Sequence, residues 1–357
     1  MNKDRPIIKP SLTTVSLSPE NKGSPIHFLN EWITPEQFFF LRNRYAYPQT
    51  TPASFTIAFD GLVENPGCFH YQQLLKMPSK TIVFPLECSG NKRKDFDTPI
   101  FGTQWDDGAI SQGRWTGVPL HYLLSIVGVN ACEHEYNVVF EGHDSGKIAG
   151  LDGTYPFARS LPLKVALNED VLIAYALNGK PIPSKHGYPL RLIVPKWYAM
   201  ASIKWLKRIT IIDKPFDGPY HKLDYHYFPY EDSDKDGVPV TLMKVNSIIQ
   251  QPLPQSTLDA GRHEIYGISW TGKGIIDKVE ISFDNGQNWK KTKLRQDSSQ
   301  SYSWTFWNYI WDVKKEGKYT IMVRATDSTG REQPMNVEWN RLGYGYNGIS
   351  VINLQIV

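Results

Sequence analysis

The chain has 357 residues, of which 41% are hydrophobic and 21% charged, and its formal net charge is +3. This length exceeds the roughly 250–300 residues that one hydrophobic core serves, so we expect two domains. The small net charge and the absence of Lys/Arg runs interleaved with aromatics argue against nucleic acid as a partner. No apolar stretch approaches the ~20 residues of a membrane helix, and the N-terminus lacks a signal-peptide core. The sequence therefore predicts a soluble, cytoplasmic protein that does not engage a membrane.

The three cysteines are Cys68, Cys88 and Cys132. They are too few for a disulfide framework, and none lies in a zinc-type pair or in the CxxCH attachment of a c-type haem. Each thiol is therefore judged alone. Because a buried Cys usually packs as a small hydrophobic residue, Cys68 and Cys132 are interpreted as packing residues.

Short strands with few helices are predicted for the first part of the chain. Residues 34–37 (TPEQ) favour a helix start, with Thr34 as N-cap and Gln37 completing a capping box. Apolar residues with helical spacing between Leu120 and Val127 predict one amphipathic helix that ends at Gly128. Short β-branched or apolar runs predict strands at residues 56–59, 81–86, 138–141, 171–175, 190–194 and 209–212. The first domain is therefore expected to be mixed α+β.

A polar, charged segment between residues 228 and 239 indicates an exposed connection, so domains are predicted at 1–236 and 237–357. Beyond it, residues 278–283 alternate with Val279, Ile281 and Phe283 directed inward, and residues 284–286 (DNG) supply a tight turn. Residues 319–325 alternate again. This pattern predicts an all-β, immunoglobulin-like sandwich without the paired cysteines of antibody domains.

Residues 88–93 (CSGNKR) hold the most informative thiol. Cys88 ends a predicted strand, small residues follow it, and Lys92 and Arg93 are cations that favour a thiolate. This chemistry permits a reactive nucleophile or a soft-metal ligand. A nucleophile needs a base and an orienting group, and the only candidate base, His186, is a lone His that is more often structural. Both interpretations stay open on the residues alone.

The same segment closely resembles the CAGNRR segment of the sulfite oxidase family, in which the Cys sulfur binds molybdenum. The terminal sandwich resembles that family's dimerisation domain, and the resemblance extends from residue 28 to the C-terminus. It continues in chain order through residues 40–43 (FLRN), 102–110 (GTQWDDGAI), 139–144 (VFEGHD), 174–179 (AYALNG), 186–191 (HGYPLR), 202–206 (SIKWL) and 220–228 (YHKLDYHYF).

The resemblance implies roles for individual residues. Cys88 is implied to be the only protein thiolate on molybdenum, beside the dithiolene of molybdopterin. The residues implied to bind the pterin and its phosphate are Arg42, Arg44, Asp144, His186, Arg191, Ser202 and Lys204. The catalytic residues implied around the substrate are Arg42, Arg93, Trp105 and Tyr225. Arginine forks suit phosphate and oxyanion geometry, which agrees with these roles.

The function implied is oxygen-atom transfer, with sulfite oxidised to sulfate and an external electron acceptor of unknown identity. No segment resembles a haem or flavin domain, so molybdopterin is the only cofactor expected, and a homodimer is expected through the second domain. Two positions depart from the family pattern: Arg44 replaces a usual His, and Thr305 replaces an Arg that contributes to the sulfate pocket. Because Thr305 weakens the sulfite assignment, a reductase of nitrate or an organic sulfoxide is an alternative. A non-catalytic scaffold is the alternative from another class.

Overall fold

The computed structural model describes residues 11–51, 54–129 and 136–357. The interpretation of Cys132 as a packing residue lies outside these ranges. Cys68 is exposed rather than packed in a core, so that interpretation of it is wrong. It lies on a strand next to Gly67, where the thiol faces solvent.

The N-terminal unit is built mainly of strands. In chain order they are β1 (Thr13–Leu17), β2 (Glu20–Gly23), β3 (Thr56–Gly61), β4 (Gly67–His70), β5 (Lys80–Glu87), β6 (Ile110–Pro119), β7 (Asn137–Gly146), β8 (Tyr155–Pro162), β9 (Leu172–Leu177), β10 (Lys180–Pro181), β11 (Arg191–Ile193), β12 (Leu206–Ile212), β13 (His226–Tyr227) and β14 (Val238–Pro239). Two five-stranded sheets form the body of the unit: one has the order β10-β9-β6-β5 with β11 also paired to β9, and the other has the order β4-β3-β12-β7-β8. Their pairs are antiparallel except for β12 with β3, which is parallel. Two small sheets, β1 with β2 and β13 with β14, complete the unit.

Helices are short in this unit. They are α1 (Tyr71–Leu74), α2 (Leu120–Ile126), α3 (Leu163–Ala166) and α4 (Pro219–Lys222). The predicted amphipathic helix is confirmed as α2, whose apolar face is buried, and Gly128 follows it with φ 69°. The mixed α+β prediction and all six predicted strands are therefore confirmed.

The helix predicted at residues 34–37 is wrong. Only a single 3-10 turn, Glu36–Phe38, forms there, without a side-chain cap. The Thr34 hydroxyl instead accepts a hydrogen bond from the Gln112 backbone N–H at 3.1 Å. The hydroxyl is therefore used to attach this segment to β6 and is not available as an N-cap.

The strands of the C-terminal unit are β15 (Asn246–Gln251), β16 (Thr257–Leu258), β17 (Gly261–Trp270), β18 (Ile276–Ser282), β19 (Lys290–Lys291), β20 (Lys293–Arg295), β21 (Thr305–Val313), β22 (Gly317–Asp327) and β23 (Ser350–Ile356). They form two packed sheets, with orders β15-β17-β21-β20 and β16-β23-β22-β18-β19. Val279, Ile281 and Ile321 are buried between the sheets, and Asn285 and Gly286 adopt positive φ in the predicted tight turn. The prediction of a two-sheet, all-β unit is thus confirmed.

One hydrophobic cluster spans the two units, beside a separate cluster within each of them. Trp270 and Trp304 of the C-terminal unit are buried in the same cluster as Leu86 and Trp105 of the N-terminal unit. This packing brings the C-terminal unit against the end of β5, where Cys88 follows. Every helix within the described residues falls short of the length and apolar composition of a membrane span.

Candidate active site around Cys88

Cys88 begins a tight turn directly after β5, and its side chain is almost completely buried. Its N–H donates to the Ala109 carbonyl at 2.9 Å, and its carbonyl accepts from the Asn91 N–H at 2.9 Å. Asn91 Oδ1 accepts from the N–H of Ala109, the residue before β6, at 2.9 Å. These bonds fix the turn, so the thiol has a defined position.

The C-terminal unit also holds this turn. Lys92 Nζ donates to Asn246 Oδ1 at 2.8 Å and to the Ser247 carbonyl at 2.7 Å. Glu87, fully buried on the other side of Cys88, accepts from Trp270 Nε1 at 2.8 Å, and burial raises its pKa to about 7. Residues on both sides of the thiol are therefore anchored to the sandwich.

Cys88 lines two cavities, and the first is called the inner pocket. Five cationic side chains and only one carboxylate contribute to its wall, so the pocket suits an anion. The remaining wall is aromatic and apolar, which suits a flat ring system. Its charged and polar lining consists of Arg42, Arg44, Cys88, Ser89, Asp144, Lys185, His186, Arg191, Ser202, Lys204 and Tyr225.

Arg191 is the most deeply buried cation of the inner pocket. Its guanidinium donates to the carbonyls of Ser202 at 3.3 Å and His186 at 3.0 Å, and it lies 5.2 Å from the ring of Trp115. Within the described residues no carboxylate pairs with it, and burial lowers its pKa to about 9. A bound anion would stabilise a buried cation that is otherwise contacted only by neutral groups.

Lys204 is a second cation of this pocket. Its ammonium donates to Asn43 Oδ1 and to the Lys185 carbonyl and lies 4.2 Å from the ring of Trp205. Loss of hydration and the nearby Arg191 charge lower its pKa well below the usual value, while the Asp144 carboxylate opposes this effect. Burial in turn raises the pKa of Asp144 to about 6.

His186 and Ser202 are two further inner-pocket residues that the resemblance implies to bind the pterin and its phosphate. His186 ends the 3-10 turn Ser184–His186, and its ring meets Phe39 edge to face at 5.3 Å. Burial and the adjacent Arg191 and Lys204 charges lower its pKa to about 3, so the imidazole is neutral at pH 7. Ser202 Oγ accepts from the Val194 N–H at 3.1 Å.

The second cavity, called the outer cleft, has a volume of about 620 Å³. It is lined by residues of both units, including Leu342 and Tyr344 of the C-terminal unit. Its lining includes Arg42, Arg44, Cys88, Arg93, Phe101, Trp105, Lys147, Ile148, Ala149, Leu223, Asp224, Tyr225, Leu342 and Tyr344.

Arg93 is fixed in the outer cleft by backbone carbonyls. Its Nε and Nη2 donate to the Leu342 carbonyl at 3.2 and 2.9 Å, and its Nη1 donates to the Thr103 carbonyl at 2.7 Å. A guanidinium has five N–H donors, so two remain for a substrate oxygen. Gly343 permits this approach, since a Cβ at that position would lie 2.9 Å from Arg93 Nε.

A pair of stacked phenols adjoins Arg93. Tyr225 and Tyr344 have ring centroids 5.2 Å apart and an interplanar angle of 14°, and Arg93 lies 5.2 Å from the Tyr344 ring. The Tyr344 hydroxyl donates to Asp224, whose other carboxylate oxygen pairs with Arg44. Burial raises the pKa of Tyr344 to about 12. The C-terminal unit thus supplies a neutral phenol that is tied to a charged pair of the N-terminal unit.

Several buried polar atoms around Cys88 have no hydrogen-bond partner in the described part of the chain. These include Ser89 Oγ, Arg44 Nε and the Trp105 indole N–H. Buried polar atoms are rarely left without partners, so these atoms indicate a bound group. Over residues 11–51, 54–129 and 136–357, no three His, Cys, Asp or Glu side chains could together hold a metal ion. A metal at Cys88 would therefore bring most of its ligands with it.

The eleven site residues suggested by the sequence lie in these two adjoining cavities. Arg42, Arg44, Cys88 and Tyr225 line both, and Arg93 and Trp105 line the outer cleft alone. The inner pocket alone contains Asp144, His186, Arg191, Ser202 and Lys204.

Thr305, the position at which the resemblance implies a missing pocket Arg, lies outside both cavities. Thr305 lies in β21, is buried, and its Oγ1 accepts from Gln296 Nε2 at 3.3 Å. The C-terminal unit reaches the outer cleft instead through Leu342 and Tyr344.

Sequence reasoning also missed Tyr344 and Asp224. The only sequence signal for Tyr344 is its position between Gly343 and Gly345, a pattern of tight turns. Asp224 precedes Tyr225 and its hydrogen bond to Tyr344 spans 120 residues of sequence, so the pairing requires the tertiary structure.

Comparisons with known proteins match both units. Residues 44–220 match the family described as "Oxidoreductase molybdopterin binding domain", and residues 238–353 match "Mo-co oxidoreductase dimerisation domain". Mouse mitochondrial sulfite oxidase is 31% identical over 375 residues, covering 99% of this chain and 67% of that protein. The NADH nitrate reductase of Ulva prolifera is 30% identical over 347 residues, covering 90% of this chain and 40% of that protein.

A solved structure is also similar over the whole chain. The sulfane dehydrogenase SoxCD from Paracoccus pantotrophus superimposes with a TM-score of 0.83 at 26% identity, covering 100% of this chain and 95% of that chain. Cys88 and Arg191 fall within the first matched family range, and Tyr344 falls within the second.

Proposed function

Because the chain belongs to the sulfite oxidase family of molybdopterin-dependent oxidoreductases, we propose that it oxidises sulfite to sulfate by oxygen-atom transfer. The observation that carries this proposal is the position of Cys88 between a cationic inner pocket and an outer cleft that holds Arg93. One cavity suits the anionic cofactor and the other suits an anionic substrate.

The described residues fit the cofactor. Cys88 is a soft ligand suited to molybdenum, and Arg191 and Lys204 are cations that lack a sufficient anionic partner. Ser89 Oγ and Arg44 Nε are free to bond a ring system or a phosphate. The residues proposed to hold the pterin and its phosphate are Arg42, Arg44, Asp144, His186, Arg191, Ser202 and Lys204. When bound, the molybdenum-pterin group supplies the two-electron redox chemistry.

The residues of the outer cleft act on the substrate. Arg93 offers two N–H groups to an oxyanion, Arg42 adds positive charge, and Tyr225 offers a phenol donor. Trp105, fully buried, forms a wall that excludes water. Sulfite and one water yield sulfate, two protons and two electrons, and the electrons pass to an external acceptor.

Further features of the assembly belong to this proposal. The match to a dimerisation domain supports a homodimer, formed through the C-terminal unit. We also propose an immunoglobulin-like topology for that unit, a domain boundary between residues 236 and 237, and a cytoplasmic location. Molybdopterin is proposed as the only cofactor, without haem or flavin in this chain.

A reductase acting on nitrate or an organic sulfoxide is the second candidate. It is favoured by the 30% identity to the Ulva prolifera nitrate reductase, whose similarity covers 90% of this chain. The scaffold alternative would leave the buried cations of the inner pocket without a partner.

The experiment compares both directions of reaction on one preparation. The full chain is purified from a host that makes molybdopterin, its molybdenum content is measured, and two assays follow. We expect about one molybdenum per chain and sulfite-dependent reduction of ferricyanide. Faster reduction of nitrate or a sulfoxide by reduced viologen would favour the second candidate. Absence of molybdenum from the folded protein would favour the scaffold.

A further inference from the structure

The outer cleft is larger than sulfite requires. Its volume is about 620 Å³, whereas a single water accounts for about 30 Å³ of liquid. Sulfite has only four heavy atoms, while sites of roughly 300–1,000 Å³ typically hold drug-sized ligands. The cleft therefore has room for a substituent on the substrate anion.

The rim of the cleft carries several apolar side chains beside the exposed Lys147. Phe101 is 100% exposed and Leu223 is 49% exposed, and both line the cleft together with Ile148 and Ala149. Single exposed apolar residues are ordinary on protein surfaces. Several exposed apolar residues that line the same cavity, by contrast, provide a surface for an apolar part of a ligand.

The interior of the cleft is cationic. Arg42, Arg44 and Arg93 line it near Cys88, and the one carboxylate in its lining, Asp224, is already used by Arg44 and by the Tyr344 hydroxyl. A ligand that matches the whole cleft has an anionic head toward Cys88 and an apolar body toward the rim.

We propose that the outer cleft accepts organic sulfinates, R–SO₂⁻, with the sulfinate near Arg93 and the carbon group against Phe101 and Leu223. The proposal rests on the proposed function, since a sulfinate sulfur has a lone pair like that of sulfite. One S–O bond forms: R–SO₂⁻ and water give R–SO₃⁻, two protons and two electrons. The sulfinate is oxidised and an external one-electron acceptor, used twice, is reduced.

The test measures kcat/KM for sulfite, methanesulfinate and benzenesulfinate on the molybdenum-loaded protein, with ferricyanide as acceptor. Because the phenyl group buries more apolar surface, benzenesulfinate should exceed methanesulfinate by about tenfold. The double variant Phe101→Ala, Leu223→Ala should lower the benzenesulfinate-to-sulfite efficiency ratio by about fivefold or more. Leu62→Ala, which removes an exposed leucine outside the cleft lining, is the matched control and should leave the ratio unchanged.

Product binding gives a readout that needs no turnover. Titration calorimetry should detect tighter binding of benzenesulfonate than of sulfate, and the double variant should remove most of this difference. Sulfite oxidation without any sulfinate oxidation would overturn the proposal and leave the proposed function standing. Equal loss with both substrates in the double variant would also overturn it. If the molybdenum-loaded protein oxidises none of the three, the proposed function fails as well.

Discussion

The inner pocket and the outer cleft meet at Cys88 but are built differently. The inner pocket belongs to the N-terminal unit, and its Arg191 is held by two backbone carbonyls and the Trp115 ring of that unit. The outer cleft is closed by both units, and its Tyr344 depends on a side-chain bond to Asp224. The first arrangement holds its charge within one unit, whereas the second can change through one turn of the C-terminal unit.

This difference separates cofactor binding from substrate choice. The desolvated cations of the inner pocket lower the stability of the empty protein. A bound anion offsets this cost, because it pairs with their charge. The outer cleft exposes Phe101 and holds Arg93 through the Leu342 carbonyl, so its shape follows the docking of the two units. Substitutions in the inner pocket should therefore affect cofactor content, and those in the outer cleft should affect kinetics.

The largest effect is expected from Arg191→Met. Removing the buried cation should lower the molybdenum content at least tenfold, because the pocket loses the most buried positive charge that would pair with the anionic cofactor. Thermal unfolding of the cofactor-free protein should be unchanged or shifted upward, since an apolar side chain replaces an unpaired buried charge. Lys207→Met, at an exposed pair with Glu141, is the control and should retain molybdenum. Full metal content in Arg191→Met would contradict the proposal that the inner pocket binds the cofactor while the outer cleft binds the substrate.

Arg93→Gln should act on kinetics alone. A charge-assisted hydrogen bond contributes about 1.5–3 kcal/mol, so kcat/KM for sulfite should fall roughly ten- to a hundredfold or more. Molybdenum content should hardly change. Thr305→Arg provides the contrast, because Thr305 lines neither cavity, and it should not tighten sulfate inhibition. Unchanged sulfite kinetics in metal-loaded Arg93→Gln would contradict the role of Arg93 in binding the substrate anion.

Tyr344→Phe tests the contribution of the C-terminal unit. The variant keeps the ring stacked on Tyr225 but removes the bond to Asp224. A buried hydrogen bond contributes about 0.5–1.5 kcal/mol, so kcat/KM should fall roughly two- to tenfold with molybdenum retained. Tyr346→Phe, outside the outer cleft, is the matched control. Equal behaviour of the two variants would show that the Tyr344 hydroxyl has no part in the site.

The smallest effect concerns His186 and acid stability. Its pKa is lowered from 6.5 to about 3, so the unfolded chain binds a proton that the folded chain does not between these values. The free energy of unfolding contributed by this residue is fully present above pH 6.5 and falls as the pH decreases toward 3. Urea unfolding of the cofactor-free protein at pH 7 and pH 5 should thus show a weaker pH dependence in His186→Asn than in the wild type. Identical dependence would contradict a neutral buried imidazole.

The strands and the position of Cys88 could be predicted because they depend on local sequence. Runs such as residues 81–86 are apolar over a strand length, and Cys88 directly follows the strand that contains this run. The absence of a helix at residues 34–37 could not be predicted, since it depends on the Thr34 hydroxyl accepting from the Gln112 N–H, far along the chain. Tyr344 was missed for the same reason, because its role depends on how the C-terminal unit docks against Asp224 and Arg93.

The central claim is that Cys88 is the protein's thiolate ligand to molybdenum. X-ray absorption at the molybdenum edge, measured on the wild type and Cys88→Ser, counts the sulfur atoms bound to the metal. Ser is nearly isosteric but its hydroxyl is a poor ligand for a soft metal, so we expect a folded variant that has lost one sulfur neighbour and its sulfite oxidation. Cys68→Ser, at an exposed thiol, should retain both. An unchanged sulfur count together with full activity in folded Cys88→Ser would contradict the claim.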